Sequence, residues 1–137
     1  MRVLVIDGMG GGVGKAVIER LRAAGMPCDL HAVGTNAAAT GAMLKAGADR
    51  AATGENAAVY ACARADCIVG AVGIALADAM LGEITPRMAQ AVAQSPAPKV
   101  LIPTAQCNAL IVGLTEKPLA QYIDELPGLL QKLAARL

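Results

Sequence analysis

A chain of 137 residues with a formal charge of +1 is long enough for one domain and too short for two. Apolar residues make up 55% and charged residues 17%, which excludes a disordered chain, and no lysine or arginine cluster points to nucleic acid or an anionic membrane. The longest uncharged run, Val100–Thr115, is interrupted by Pro103, Thr104, Gln106 and Asn108, so no membrane partner is expected.

The opening Met1-Arg2-Val3-Leu4-Val5-Ile6-Asp7 meets an acid and then glycines too early for a secretion signal. The cysteines Cys28, Cys62, Cys67 and Cys107 have no CxxC spacing, and His31 is the one histidine. That pattern predicts no metal site and a reduced, cytoplasmic setting. With no Phe or Trp, the core must come from Val, Ile, Leu, Met and many Ala. So rich an apolar fraction on so short a chain also predicts a homo-oligomer.

Arg2–Ile6 is a continuous apolar run of the buried-strand type. After a glycine-rich turn, Val13, Val17, Ile18 and Leu21 form one stripe of a helix that Gly25 stops near Ala24. A second strand is expected over Asp29–Val33, then a helix capped by Thr35 or Asn36 and stopped by Gly47. A short third strand falls near Arg50–Ala52, and Thr53-Gly54-Glu55-Asn56 leads into a helix ending near Ala65. Cys67-Ile68-Val69 reads as strand four, followed by a helical segment over Ile74–Leu81. Thr85-Pro86 is a cap-and-first-position pair opening another helix. Val100-Leu101-Ile102 and Leu110-Ile111-Val112 read as strands five and six, and Lys117-Pro118 opens a last helix bent or restarted at Pro127. This alternation predicts a three-layer, Rossmann-like, doubly wound α/β fold, with a mainly parallel sheet of five to six strands in one domain over residues 1–137.

The turn after strand one is the most informative segment. Five of the seven residues from Gly8 to Gly14 are glycine, and Gly8, Gly12 and Gly14 fit GxxxGxG between a strand and a helix. This resembles the cofactor turn of short-chain dehydrogenases, with Asp7 where a Thr is commonest. The resemblance implies that Gly8, Gly10, Gly11, Gly12, Val13 and Gly14 present bare amides to a phosphate, with Lys15 adding a cation. A Walker A loop fits poorly, because Met9 stands at its first glycine and Ala16 at its magnesium-binding hydroxyl. The alternative is a turn that merely packs the helix on the sheet. Asp7 could hold a ribose hydroxyl, a metal or Lys15, or could cap the loop's own amides.

Ligands of open parallel sheets gather at the carboxyl ends of the strands. There, Thr35 and Asn36 replace the acid that usually accepts ribose hydroxyls, and both are also good helix caps. Gly54, Glu55 and Asn56 are expected on the same rim, and Gly70 to Gly73 would floor it unless they serve close packing. The Tyr-x-x-x-Lys pair of short-chain dehydrogenases is absent, since Tyr60 is followed by Arg64 inside a helix. Asp7 and Glu83 are the candidate catalytic carboxylates, Glu83 being the freer one just ahead of a helix. Cys107 reads as a packing cysteine and His31 as a strand residue.

The segments IDGMGGGVGK, GTNAAATGAMLKAGAD, TGENA and MLGEITPRM together resemble a small bacterial family of uncharacterised proteins over most of the chain. That resemblance implies a compact Rossmann-like fold and supplies no catalytic residues. The leading expectation is a small-molecule nucleotide ligand, NAD(P) or an adenine nucleotide, at the glycine turn. An enzyme acting on a phosphorylated or carboxylated small molecule, and a non-catalytic oligomeric partner protein, are the alternatives.

Overall fold

The structure, a computed structural model, describes residues 1–104 and 108–137; the reading of Cys107 lies outside them. Strands β1 (Arg2–Asp7), β2 (Asp29–Gly34), β3 (Arg50–Thr53), β4 (Cys67–Ala71) and β5 (Lys99–Ile102) pair in parallel in the order β3-β2-β1-β4-β5. The chain winds outward from β1 to β3 and then returns to the other side through β4. The order therefore reverses between β1 and β4, the place where such sheets leave a crevice.

Alternation along β1 divides the core in two. Val3 and Val5 face α1 (Gly12–Ala23), with Val17, Ile18 and Leu21, and also meet Ile123 of α5 (Leu119–Asp124) and Leu126 and Leu130 of α6 (Leu126–Ala134). Met43 of α2 (Ala37–Ala46) closes that layer. Leu4 and Ile6 face the opposite layer, made by Ala58 and Cys62 of α3 (Glu55–Cys62) and Met88 and Val92 of α4 (Pro86–Gln94). The three-layer architecture expected from the sequence is what the chain adopts.

Two local expectations are corrected. Leu110-Ile111-Val112 forms no strand; Leu110 and Val112 are fully exposed, and β5 is left as the sheet edge. A three-residue apolar run has too few ladder bonds to hold itself on an edge. The expected helix over Ile74–Leu81 is a short 3-10 turn, Val72–Ala75, followed by a folded loop. Asp78, Met80 and Leu81 all take left-handed backbone there, with φ of 66, 57 and 56°, which no right-handed helix tolerates. Burial pushes the Cys62 and Cys67 thiols up to about 11, so both are inert packing groups.

Candidate functional site

β1 delivers Asp7 to the foot of the glycine turn, where it is 4% exposed. Its Oδ1 accepts the Gly8 N–H at 2.8 Å and its Oδ2 accepts the Gly14 N–H at 2.6 Å. Burial pushes the Asp7 carboxyl up, the amides of Gly14, Gly8 and Val13 pull it down, and Glu83 repels it. The Gly11 N–H is taken by the Gly8 carbonyl at 2.9 Å. The expected row of bare amides is thus corrected: those of Gly8, Gly11 and Gly14 are satisfied within the protein. Asp7 occupies the positive end of α1, the position an incoming phosphate would have used. Gly10 and Gly12 differ, since they are exposed and a Cβ on either would meet nothing within 4 Å. Lys15 pairs with Glu19 at 4.0 Å on the outer face of α1.

Above the turn, a second carboxylate closes the mouth. Glu83 Oε1 accepts the Met9 N–H at 3.0 Å, the Asn36 Nδ2 amide at 2.8 Å and the Thr35 hydroxyl. These three donors hold the Glu83 carboxyl below the usual carboxylate range, Thr35 contributing most. Asn36 caps α2 by accepting the Ala39 N–H at 2.8 Å and also donates to the Met9 carbonyl at 2.8 Å. The cap reading of Asn36 is what the structure shows, its oxygen serving the helix, while its amide faces the mouth. Glu83 is not the free carboxylate expected from its place before a helix.

The segment carrying Glu83 is folded tightly on itself. The Asp78 N–H bonds the Ile84 carbonyl at 2.7 Å and the Glu83 N–H bonds the Met80 carbonyl at 3.1 Å, while Ile84 is fully buried as an anchor. A Cβ placed on Gly8 would lie 2.7 Å from Thr35 Oγ1 and 2.9 Å from Met80 Sδ. The crossover mouth is filled by the protein's own atoms. Met80 escaped sequence reading because its role depends on the left-handed turn, which a Met does not advertise.

The other candidates lie apart. Glu55 ties α3 to α4, accepting the Thr85 hydroxyl at 2.6 Å and approaching Arg87 at 3.8 Å. The Gly54 N–H bonds the Gly34 carbonyl at 2.9 Å, and Asn56 faces a different cleft. Gly70 is a packing glycine, because a Cβ there would stand 2.7 Å from Ile74 Cδ1 and 2.8 Å from the Ile6 carbonyl. Gly73 is buried and accepts the Leu76 N–H at 3.1 Å. Of the expected site, Asp7, Gly8, Thr35, Asn36 and Glu83 come together; Lys15, Glu55, Asn56, Gly70 and Gly73 do not join them.

The Glu83 contacts have a signed pH consequence. A depressed carboxyl stabilises the folded state above its ordinary value of 4.5 and loses that contribution as pH falls through its lowered value. Urea melts of the natural chain and Glu83→Gln are expected to differ at neutral pH and to converge in acid. A difference independent of pH would contradict the three-donor arrangement.

An FMN-dependent UbiX-like decarboxylase from Escherichia coli O157:H7, described as dodecameric, is a solved structure similar to this chain. It shares 18% identity over 98% of this chain and 76% of its own, with a TM-score of 0.48. No curated protein matches the chain. The model of a family described as a domain of unknown function, DUF3842, matches residues 2–135.

Proposed function

The chain belongs to the DUF3842 family, and from that premise we propose that it binds a phosphate-bearing small molecule at the carboxyl ends of β1 and β2, with Glu83 standing in for the ligand's anion in the closed form. One observation carries this reading: three donors from two separate loops, the Met9 amide of one and the Thr35 hydroxyl and Asn36 amide of the other, converge on a single anionic oxygen. Such a set suits one phosphate or carboxylate group as well as it suits a glutamate.

The arrangement does not suit a dinucleotide laid along the turn, because Asp7 already holds the Gly8 and Gly14 amides and no acid follows β2 to take ribose hydroxyls. Of the expected ligands, an adenine nucleotide presenting one terminal phosphate fits better than NAD(P). Gly10 and Gly12 leave room for its approach. The segment over Glu83 has reason to yield, since each left-handed non-glycine residue costs about 1–2 kcal/mol of backbone strain.

The test is thermal melting of the natural chain and Glu83→Ala with AMP, ATP, NAD, NADP, FMN and inorganic phosphate. A ligand at a hundred times its dissociation constant stabilises by about 2.7 kcal/mol. A larger shift in Glu83→Ala than in the natural chain supports displacement, and no shift with any compound in either chain refutes the reading.

A second reading, an enzyme acting on a phosphorylated or carboxylated small molecule, is favoured by the opposite displacement of the Asp7 and Glu83 carboxyls, one raised and one lowered. In that reading Glu83, released from its donors, is the base. Self-association is proposed from the exposed Leu110 and Val112, and a cytoplasmic setting from the unpaired, buried Cys62 and Cys67. Among the described residues, no helix is long and apolar enough to cross a membrane.

A further inference from the structure

We infer a second binding site, remote from the glycine turn, on the sheet face that α3 leaves uncovered beside β2 and β3. A cleft of about 500 Å³ lies there, within the size range of small-molecule sites. Its basic end is assembled from Arg2 of β1, His31 of β2, Arg50 of β3 and Arg64 just beyond α3. Strand register puts Leu4, His31 and Arg50 in one row across three strands, so the charge sits beside apolar floor rather than in bulk solvent. No acidic residue lines the cleft. Asp29, at its margin, accepts from or pairs with His31 at 2.8 Å and stands 3.8 Å from Arg2 Nε.

Two of the three guanidinium groups retain unused capacity. Arg2 Nε is buried with no hydrogen-bond partner among the described residues. The Arg50 side chain makes no hydrogen bond or ion pair among them. The third, Arg64, lies 3.6 Å over the Tyr60 ring and donates to the Tyr60 carbonyl at 2.9 Å, which makes a flat cationic-aromatic wall. Three permanently charged forks at one end, a flat wall and an aliphatic floor of Leu4 and Val33 call for an amphiphilic ligand. The geometry points to a planar organic anion, an aromatic phosphate or carboxylate, with its anionic group against Arg2 and Arg50 and its ring against Tyr60 and the floor.

Calorimetric titration with 1-naphthyl phosphate tests this, with 1-naphthol and inorganic phosphate as the probes that lack the charge and the ring. The phosphate ester is expected to bind at least about tenfold more tightly than either, as one charge-assisted contact implies. Arg50→Gln, at an exposed and unpartnered side chain whose loss leaves the fold intact, is expected to weaken the ester about tenfold and leave 1-naphthol unchanged. Arg50→Gln should leave the binding of inorganic phosphate to Glu83→Ala unchanged, which separates this site from the one at the strand ends. Equal binding of ester and alcohol, an unaltered ester affinity in Arg50→Gln, or no ester binding to the natural chain would each overturn the inference.

Discussion

Gly11→Val is expected to lose about 2–5 kcal/mol of folding stability, a sum of left-handed backbone strain and steric overlap. Gly11 caps α1 with φ of 77°, and a Cβ there would stand 2.9 Å from the Ala39 Cα of α2. Both elements are backbone, so neither can yield without moving a helix. The total stability of a domain is about 5–15 kcal/mol, so the loss is a large share of it. Gly12→Ala is the control: it lies at the first position of α1 with open space around its Cβ, and is expected to be neutral or to stabilise by about 0.4–1 kcal/mol. Urea midpoints measure both. Equal midpoints for the two variants would remove the close α1–α2 approach from the account.

Asp7→Ala is the second large effect. It strips the acceptor from two amides at the head of α1, those of Gly8 and Gly14, and a buried donor left without a partner costs about 1–3 kcal/mol. A loss of about 2–6 kcal/mol is expected. Asp7→Asn keeps one carbonyl oxygen and should lose less. The pH dependence runs opposite to that of Glu83. Because burial raises the Asp7 carboxyl above 3.8, the folded state keeps its proton longer than the unfolded chain does. Its contribution is therefore full below that value and declines as pH rises through the raised one. In Asp7→Asn this decline should vanish; if it persists, another group is responsible.

Much of the architecture was legible because buried parallel strands announce themselves as unbroken apolar runs, as Val3–Ile6 and Cys67–Val69 do. The short strand expected near Arg50–Ala52 is present as Arg50–Thr53, although only two small apolar residues stand between its polar ends. Leu110–Val112 carried the same signal without a partner strand, and composition alone does not distinguish a strand from an exposed apolar loop. Ile74–Leu81 reads as helix in the sequence because the left-handed turns at Asp78, Met80 and Leu81 belong to residues that rarely adopt them.

At the site, the residue types were found but their direction was not. The glycines of the turn suggested amides facing outward, whereas Asp7 draws those of Gly8 and Gly14 inward by capping α1 from beneath, as a turn acid can. Thr35, Asn36 and Glu83 were each singled out separately. That they share one oxygen follows from a 47-residue separation closed by the β4 crossover, which no local pattern encodes.

If Glu83 occupies a receptor built for an anion, removing it should expose that receptor. A ligand competing with a closed form binds with an apparent dissociation constant equal to the intrinsic one divided by the open fraction, so its affinity is weakened by that fraction. The most direct measurement is calorimetric titration of AMP into the natural chain, Glu83→Ala and the double variant Glu83→Ala/Asn36→Ala. The account predicts affinity raised about tenfold or more by the first change and returned to the starting level or below by the second. Equal affinities in all three chains, or no binding to Glu83→Ala, would contradict it.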